Sequence, residues 1–107
     1  MSWTVETLGV VVDRELEALP LDQRAKFLRI AELIEANGLD RVREPYVKHL
    51  DGPLWEIRLR GRDGISRAIY VTASGRRVVV VRVFVKKTQK TPRRELRLAF
   101  ERARSEE

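Results

Sequence analysis

Cations recur at alternate positions in three successive β-prone segments. Arg58 and Arg60 fall in Leu-Trp-Glu-Ile-Arg-Leu-Arg (54–60), Arg67 in Ile-Ser-Arg-Ala-Ile-Tyr-Val-Thr-Ala (65–73), and Arg82 and Lys86 in Arg-Val-Val-Val-Val-Arg-Val-Phe-Val-Lys-Lys (77–87). Successive side chains of a strand point to opposite faces, so parity sorts these residues. Trp55, Ile57 and Leu59 form one set in the first segment, with Glu56, Arg58 and Arg60 opposite. In the third, Val79, Val81, Val83 and Val85 read as an unbroken core-facing row. That reading leaves Arg82, Phe84 and Lys86 together and points Lys87 with the valines. If Ala68 and Tyr70 face the core, Arg67 joins the cations. Neighbouring strands lie about 5 Å apart, so side chains from three of them can converge on one or two phosphates. Guanidinium forks match phosphate oxygens in bidentate fashion, and Phe84 could stack on a base. The plain alternative is the solvated face of an antiparallel sheet. Phe84, Ile69 and Val71 set among so much charge favour a binding surface.

The elements that must position these residues follow from the rest of the pattern. Leu8, Val12, Leu16 and Leu19 space as an amphipathic helix ended by Pro20. Leu21, Ala25, Leu28, Ala31 and Ile34 give a second helix with one apolar stripe, stopped at Asn37-Gly38. Residues 3–7 read as a short first strand or a frayed start, and residues 39–53, with Pro45, Gly52 and Pro53, as an irregular connection. The glycine-bearing links Gly-Arg-Asp-Gly and Ser-Gly-Arg are short, so the three later segments make an antiparallel meander. Thr91-Pro92 then caps a helix whose Leu96, Ala99, Phe100 and Ala103 share a face. The expected fold is α+β: two N-terminal helices, a meander with a basic open face, and a C-terminal helix.

Composition bounds the function. At 107 residues and with no linker, residues 1–107 form a single domain. The chain has no cysteine and one histidine, which excludes thiolate catalysis and Cys-ligated metal sites and leaves no expected metal or cofactor. No apolar run approaches the roughly 20 residues that span a bilayer, and the start lacks a basic-then-apolar leader, so the expected location is the cytoplasm with no membrane contact. The net charge of +6 is uneven: residues 1–50 carry seven Lys/Arg against nine Asp/Glu, and residues 51–107 fifteen against seven. The second half therefore faces a polyanion, most commonly nucleic acid. Arg93 and Arg94 add to this, because cations at a helix N-terminus oppose the dipole and call for another purpose.

The segments Leu-Trp-Glu-Ile-Arg-Leu-Arg-Gly-Arg-Asp-Gly-Ile-Ser-Arg-Ala-Ile-Tyr and Val-Phe-Val-Lys-Lys-Thr-Gln-Lys-Thr-Pro-Arg-Arg-Glu-Leu-Arg-Leu-Ala together resemble the RelE/HigB superfamily of type II toxins, in particular its phage-derived branch. The resemblance runs from about Pro45 to Ala103. It implies a RelE-like fold and a ribosome-dependent endoribonuclease that cuts messenger RNA. It also implies a helix-turn-helix (Xre/HigA-like) antitoxin, through whose complex alone operator DNA would be bound. By motif, the functional residues it implies are Arg58, Arg67, Lys86 and Lys87; the basic face and the clustered charge of this chain itself make Arg60, Arg82, Phe84, Lys90, Arg93 and Arg94 the expected RNA contacts.

RNA can be cut without metal when its own 2′-oxygen attacks the adjacent phosphorus, given a base, a stabilised phosphorane and an acid for the 5′-oxygen. Arg58 and Arg67 suit the phosphorane, and Lys86 suits proton transfer if neighbouring cations lower its pKa. The chain departs from many members of the superfamily in carrying Arg82 where they have histidine, and in lacking Tyr or His in its last helix. His49 is thus the one imidazole available as acid or base. The competing functions are a non-catalytic nucleic-acid-binding module using the same basic face, and an interaction protein whose cationic groove docks an acidic partner.

Overall fold

Short links and β-branched runs give a five-stranded sheet in the computed structural model, which describes residues 2–87 and 90–106. The strands are β1 (Thr4–Thr7), β2 (Val47–Asp51), β3 (Leu54–Gly61), β4 (Gly64–Ala73) and β5 (Arg77–Lys86), in the order β1-β5-β4-β3-β2. β2 to β5 are antiparallel neighbours, and β1 pairs with β5 in parallel. Helices α1 (Val10–Glu17) and α2 (Leu21–Asn37) cover one face, and α3 (Arg93–Ala103) covers part of the other. The α+β architecture, the meander and the order of helices are those expected, and β1 occupies the segment read as a short first strand.

Two β-bulges account for most of what parity misplaced. Ile69 pairs with Arg82 but Tyr70 with Val80, so Val81 is an extra residue on β5. The row of valines is therefore broken. Val78, Val80 and Val83 pack under α1 and α2, whereas Val79 and Val81 lie with Phe84 beneath α3. Arg82, Phe84 and Lys86 still share a face, because the bulge lies before them. In β2 the register shifts between His49 and Asp51, so Val47 belongs to one core and Leu50 to the other. This spacing of three hides a strand in the stretch expected to be irregular.

The stripe expected on α2 is also displaced. Leu21 and Leu28 are 75% and 57% exposed, and the buried residues are Gln23, Phe27, Ile30 and Ile34. Gln23 heads the buried face because its amide oxygen accepts a hydrogen bond from the buried hydroxyl of Ser66, which satisfies both groups. The same end of α2 lies close to the β3–β4 turn: Asp22 accepts from the Arg62 backbone N–H at 2.6 Å, and a side chain at Gly61 would strike that carboxylate.

On the opposite face α3 is seated through Leu96, Ala99, Phe100 and Ala103, as expected. Thr91 does not cap it; Pro92 holds the cap position without a side-chain hydrogen bond. The helix is instead fixed by an ionic cluster. Arg82 pairs with Glu95 at 2.7 Å and with Glu15 of α1 at 2.8 Å, and Arg102 bonds Glu15 at 2.9 Å. Where β1 ends beside β5, Glu15 accepts the Val83 N–H and Arg102 donates to the Val81 carbonyl, both at 2.9 Å. Two side chains thus supply the hydrogen bonds that an adjoining strand would have made.

Candidate functional site

The sheet register fixes the basic face before any side-chain geometry is considered. Across β3, β4 and β5, Arg60, Ile65 and Lys86 form one row, and Arg58, Arg67 and Phe84 the next. Glu56 follows in the third row, opposite Lys48 of β2. Rows lie roughly 7 Å apart and strands about 5 Å, so Arg58, Arg67 and Lys86 stand at adjacent corners of one lattice. They line a groove of about 720 Å³ with Lys48, Arg60 and Lys87, completed among the described residues by Gly64 and Ile65.

A carboxylate sits beneath this groove. Glu56 is 1% exposed; its Oε1 accepts from Arg67 Nη1 and lies 3.7 Å from Arg58 Nε, while Oε2 accepts from the Thr91 hydroxyl at 3.4 Å. The acid compensates the burial of Arg67, which is 5% exposed and could not otherwise be held as a cation there. Arg58 Nε and Arg67 Nε remain buried without a hydrogen-bond acceptor among the described residues. The local balance is positive, with several cations around one acid.

Lys86 has a pKa lowered from the ordinary lysine value. Burial of its ammonium is the largest cause, followed by the positive charge of Arg67; Glu56 opposes the shift, and Arg58 and Lys48 add to it. Desolvation and like charge both favour the neutral amine, so Lys86 is the lysine suited to exchange a proton. Lys87, the next residue, is exposed and contributes to the groove rim.

The other sequence-chosen residues separate clearly. Lys90 lines a 250 Å³ extension of the groove together with Thr91 and Leu96. Arg93 and Arg94 are exposed on the first turn of α3. Phe84 is not available to a base: it is 8% exposed and packs beneath α3, where its contact with the core outweighs any surface role. Arg82 lies 5.8 Å from the Phe84 ring and is held by Glu15 and Glu95, so its charge is spent within the fold. His49 pairs with Trp55 in the ladder, and its ring meets the indole edge-on at 4.9 Å; it lines the hollow beside Trp55 and also the 250 Å³ extension, with Glu56, Arg58, Arg67 and Lys86. Its Nε2 donates to the Gly52 carbonyl at 2.9 Å, a hairpin-closing bond.

Glu56, Lys48 and Thr91 were not anticipated as site residues. Glu56 had a signal, as the one acid at an alternate position otherwise cationic; Lys48 had none once its strand went unseen. Among the described residues no group of three or more His, Asp or Glu could hold a metal ion, and no helix is long and apolar enough to cross a membrane.

Curated protein sequences include none that matches the chain. Among solved structures, a chain of the archaeal RelE–RelB complex from Pyrococcus horikoshii OT3 superposes with a TM-score of 0.57 at 24% identity, over 79% of this chain and 96% of that one. The likeness establishes a RelE-type fold. Residues 14–104 match the family described as phage derived protein Gp49-like, from within α1 to the end of α3. The chain therefore belongs to the phage-derived Gp49-like family, in the branch of the RelE/HigB superfamily that its strand motifs resemble.

Proposed function

We propose that this chain is the toxin of a type II toxin–antitoxin module and acts as a ribosome-dependent endoribonuclease on messenger RNA. The observation that carries the reading is the groove in which Lys48, Arg58, Arg60, Arg67, Lys86 and Lys87 converge from four strands and a strand end. Family membership and the RelE-type fold support it. A solvated face would not bury an arginine and desolvate a lysine beside one another.

In this reading the 2′-hydroxyl of the substrate attacks the neighbouring phosphorus, forming a 2′,3′-cyclic phosphate as the bond to the 5′-oxygen breaks. Arg58 and Arg67 stabilise the doubly charged phosphorane from the groove wall that both line. Lys86, as the neutral amine, accepts the 2′-hydroxyl proton, and the ammonium so formed returns it through water to the departing 5′-oxygen, which leaves as a 5′-hydroxyl and restores the amine. Glu56 orients the arginines without touching substrate, and Lys48, Arg60 and Lys87 hold flanking phosphates. Every charge in the step is met by a side chain, so the reaction as written calls for no metal. The ribosome supplies the bound messenger, and action in the cytoplasm follows. The partner would be a helix-turn-helix antitoxin of the Xre/HigA type, with operator DNA bound only through the complex.

Induction of the chain alone and with its neighbouring reading frame, followed by 5′-end mapping of transcripts, tests the reading. Growth arrest with defined cuts, relieved by the partner and lost in Arg58→Ala and Lys86→Ala, is the expected result. A Lys86→Ala protein that remains fully toxic would remove the lysine from the mechanism. RNA bound without any cut would make the chain a holding module on the same face.

A further inference from the structure

The aromatic residue expected to stack on a base is buried, yet another stands at the end of the same basic row. The Tyr46 carbonyl accepts the Arg58 N–H at 2.8 Å, which sets Tyr46 beside Arg58 just before β2. Its own N–H donates to the Arg43 carbonyl at 3.0 Å, so the backbone is held on both sides. Tyr46 is 39% exposed. Lys26 of α2 brings its ammonium to 5.5 Å from the ring centroid.

Tyr46, Lys26 and Pro45 line a hollow of about 410 Å³ whose remaining walls are Arg58, Arg60, Ile65 and Arg67. Those four residues also line the main groove, so the two spaces share a wall. Exposed tyrosine beside two arginines and a lysine combines a π-face with phosphate donors, the pairing by which single-stranded nucleic acids are held. Lys26 above the ring adds a cation–π contact that fixes its orientation.

We propose that Tyr46 is the platform of a nucleotide subsite, stacking the base of a residue next to the phosphate held by Arg58 and Arg67, with Arg60 and Lys26 on the adjoining phosphate. The subsite rests on the reading of the groove as an RNA site and adds to it a single-stranded substrate whose flanking base is unstacked. Its contribution is to position RNA; Tyr46 takes no part in proton transfer.

The test uses an uncleavable 2′-O-methyl RNA octanucleotide and eight versions with one abasic position each, measured by fluorescence anisotropy with wild type, Tyr46→Ala, Tyr46→Phe and Lys26→Ala. Tyr46→Ala is expected to weaken binding of the intact octamer by about tenfold, within the range for one base–aromatic stack. One abasic position should cause the same loss in wild type and no further loss in Tyr46→Ala, and Tyr46→Phe should bind as wild type does. Additive losses at every position, a Tyr46→Ala protein that binds like wild type, or no binding by wild type would overturn the subsite. Cleavage by the same proteins on ribosomes programmed with a model messenger reports separately on the nuclease reading. Binding that depends on Tyr46 without cleavage would sink the nuclease and leave the subsite standing.

Discussion

Two buried charges govern the site at the scale of single residues. Glu56 holds Arg67 and stands 3.7 Å from Arg58, so its loss leaves buried positive charge uncompensated. Glu56→Gln should lower the unfolding free energy by about 3 kcal/mol, read by urea denaturation. It should also drop the pKa of Lys86 further, since the Glu56 carboxylate raises it. If Lys86 acts as the base, the rising limb of the cleavage rate against pH then moves to lower pH in the variant. The stability effect of Lys86 has the opposite sense. Its pKa is depressed in the folded state, so the fold disfavours the ammonium at neutral pH, and this penalty disappears as pH climbs through the folded value and past about 10.5. Lys86→Met should therefore abolish cleavage while melting no lower than wild type at pH 7, with any gain shrinking as pH rises toward 10.5 and gone above it; a clear loss of thermal stability would contradict the assignment of the shift to burial and like charge. These residues were legible in the sequence because they lie where alternation is regular: Arg58 and Arg67 face one another with no bulge between them. Glu56 was visible on the same face, but parity carries no information about depth.

At the scale of elements, irregularities decided what could be foreseen. The extra residue Val81 turned a valine row into two half-rows, one under each helical layer, and the extra residue Leu50 concealed β2. Gln23 hid the true face of α2, because a polar residue is read as solvent-facing unless its partner, here Ser66 some forty residues away, is known. Periodicity thus reveals an element only up to its first bulge or its first buried hydrogen bond. Phe84 lost its expected role for the same reason, since α3 packs where the open face was drawn. Phe84→Ala should destabilise the fold by about 3–5 kcal/mol by opening a cavity beneath α3. Phe84→Leu should retain RNA binding, and an affinity loss without a stability loss in that variant would return Phe84 to the interface. The ionic cluster joins α1, β5 and α3, and Glu15 is its hub. Glu15→Ala leaves Arg82 with Glu95 alone and Arg102 with the Val81 carbonyl, and it takes the acceptor from the Val83 N–H, at about 1–3 kcal/mol in chemical denaturation.

At the scale of the whole molecule, the net charge of +6 is concentrated where the groove lies, in the half of the chain that carries fifteen of the twenty-two Lys/Arg. Binding of single-stranded RNA should therefore weaken with salt. With about three phosphates in contact, log affinity against log salt should fall with a slope near −2, and Arg60→Ala should reduce that slope by roughly 0.7. Arg41→Ala, exposed but outside the groove, should leave it unchanged; equal effects from both would mean that bulk charge rather than the groove holds the RNA. The overall charge asymmetry was plain from the sequence, whereas the acid beneath the groove was not.

Glu56 also makes the site choosy about its guests. The protein carries its own rival for any anion, since the arginine fork that would greet a phosphate is already partly answered from below. A lone phosphate or mononucleotide must contend with that rival and gains little else. If the groove holds RNA as proposed, a longer strand collects Lys48, Arg60, Lys86 and Lys87 along the way and wins the contest by its length. On the proposed function, the abundant small phosphates of a cell would pass such a groove by.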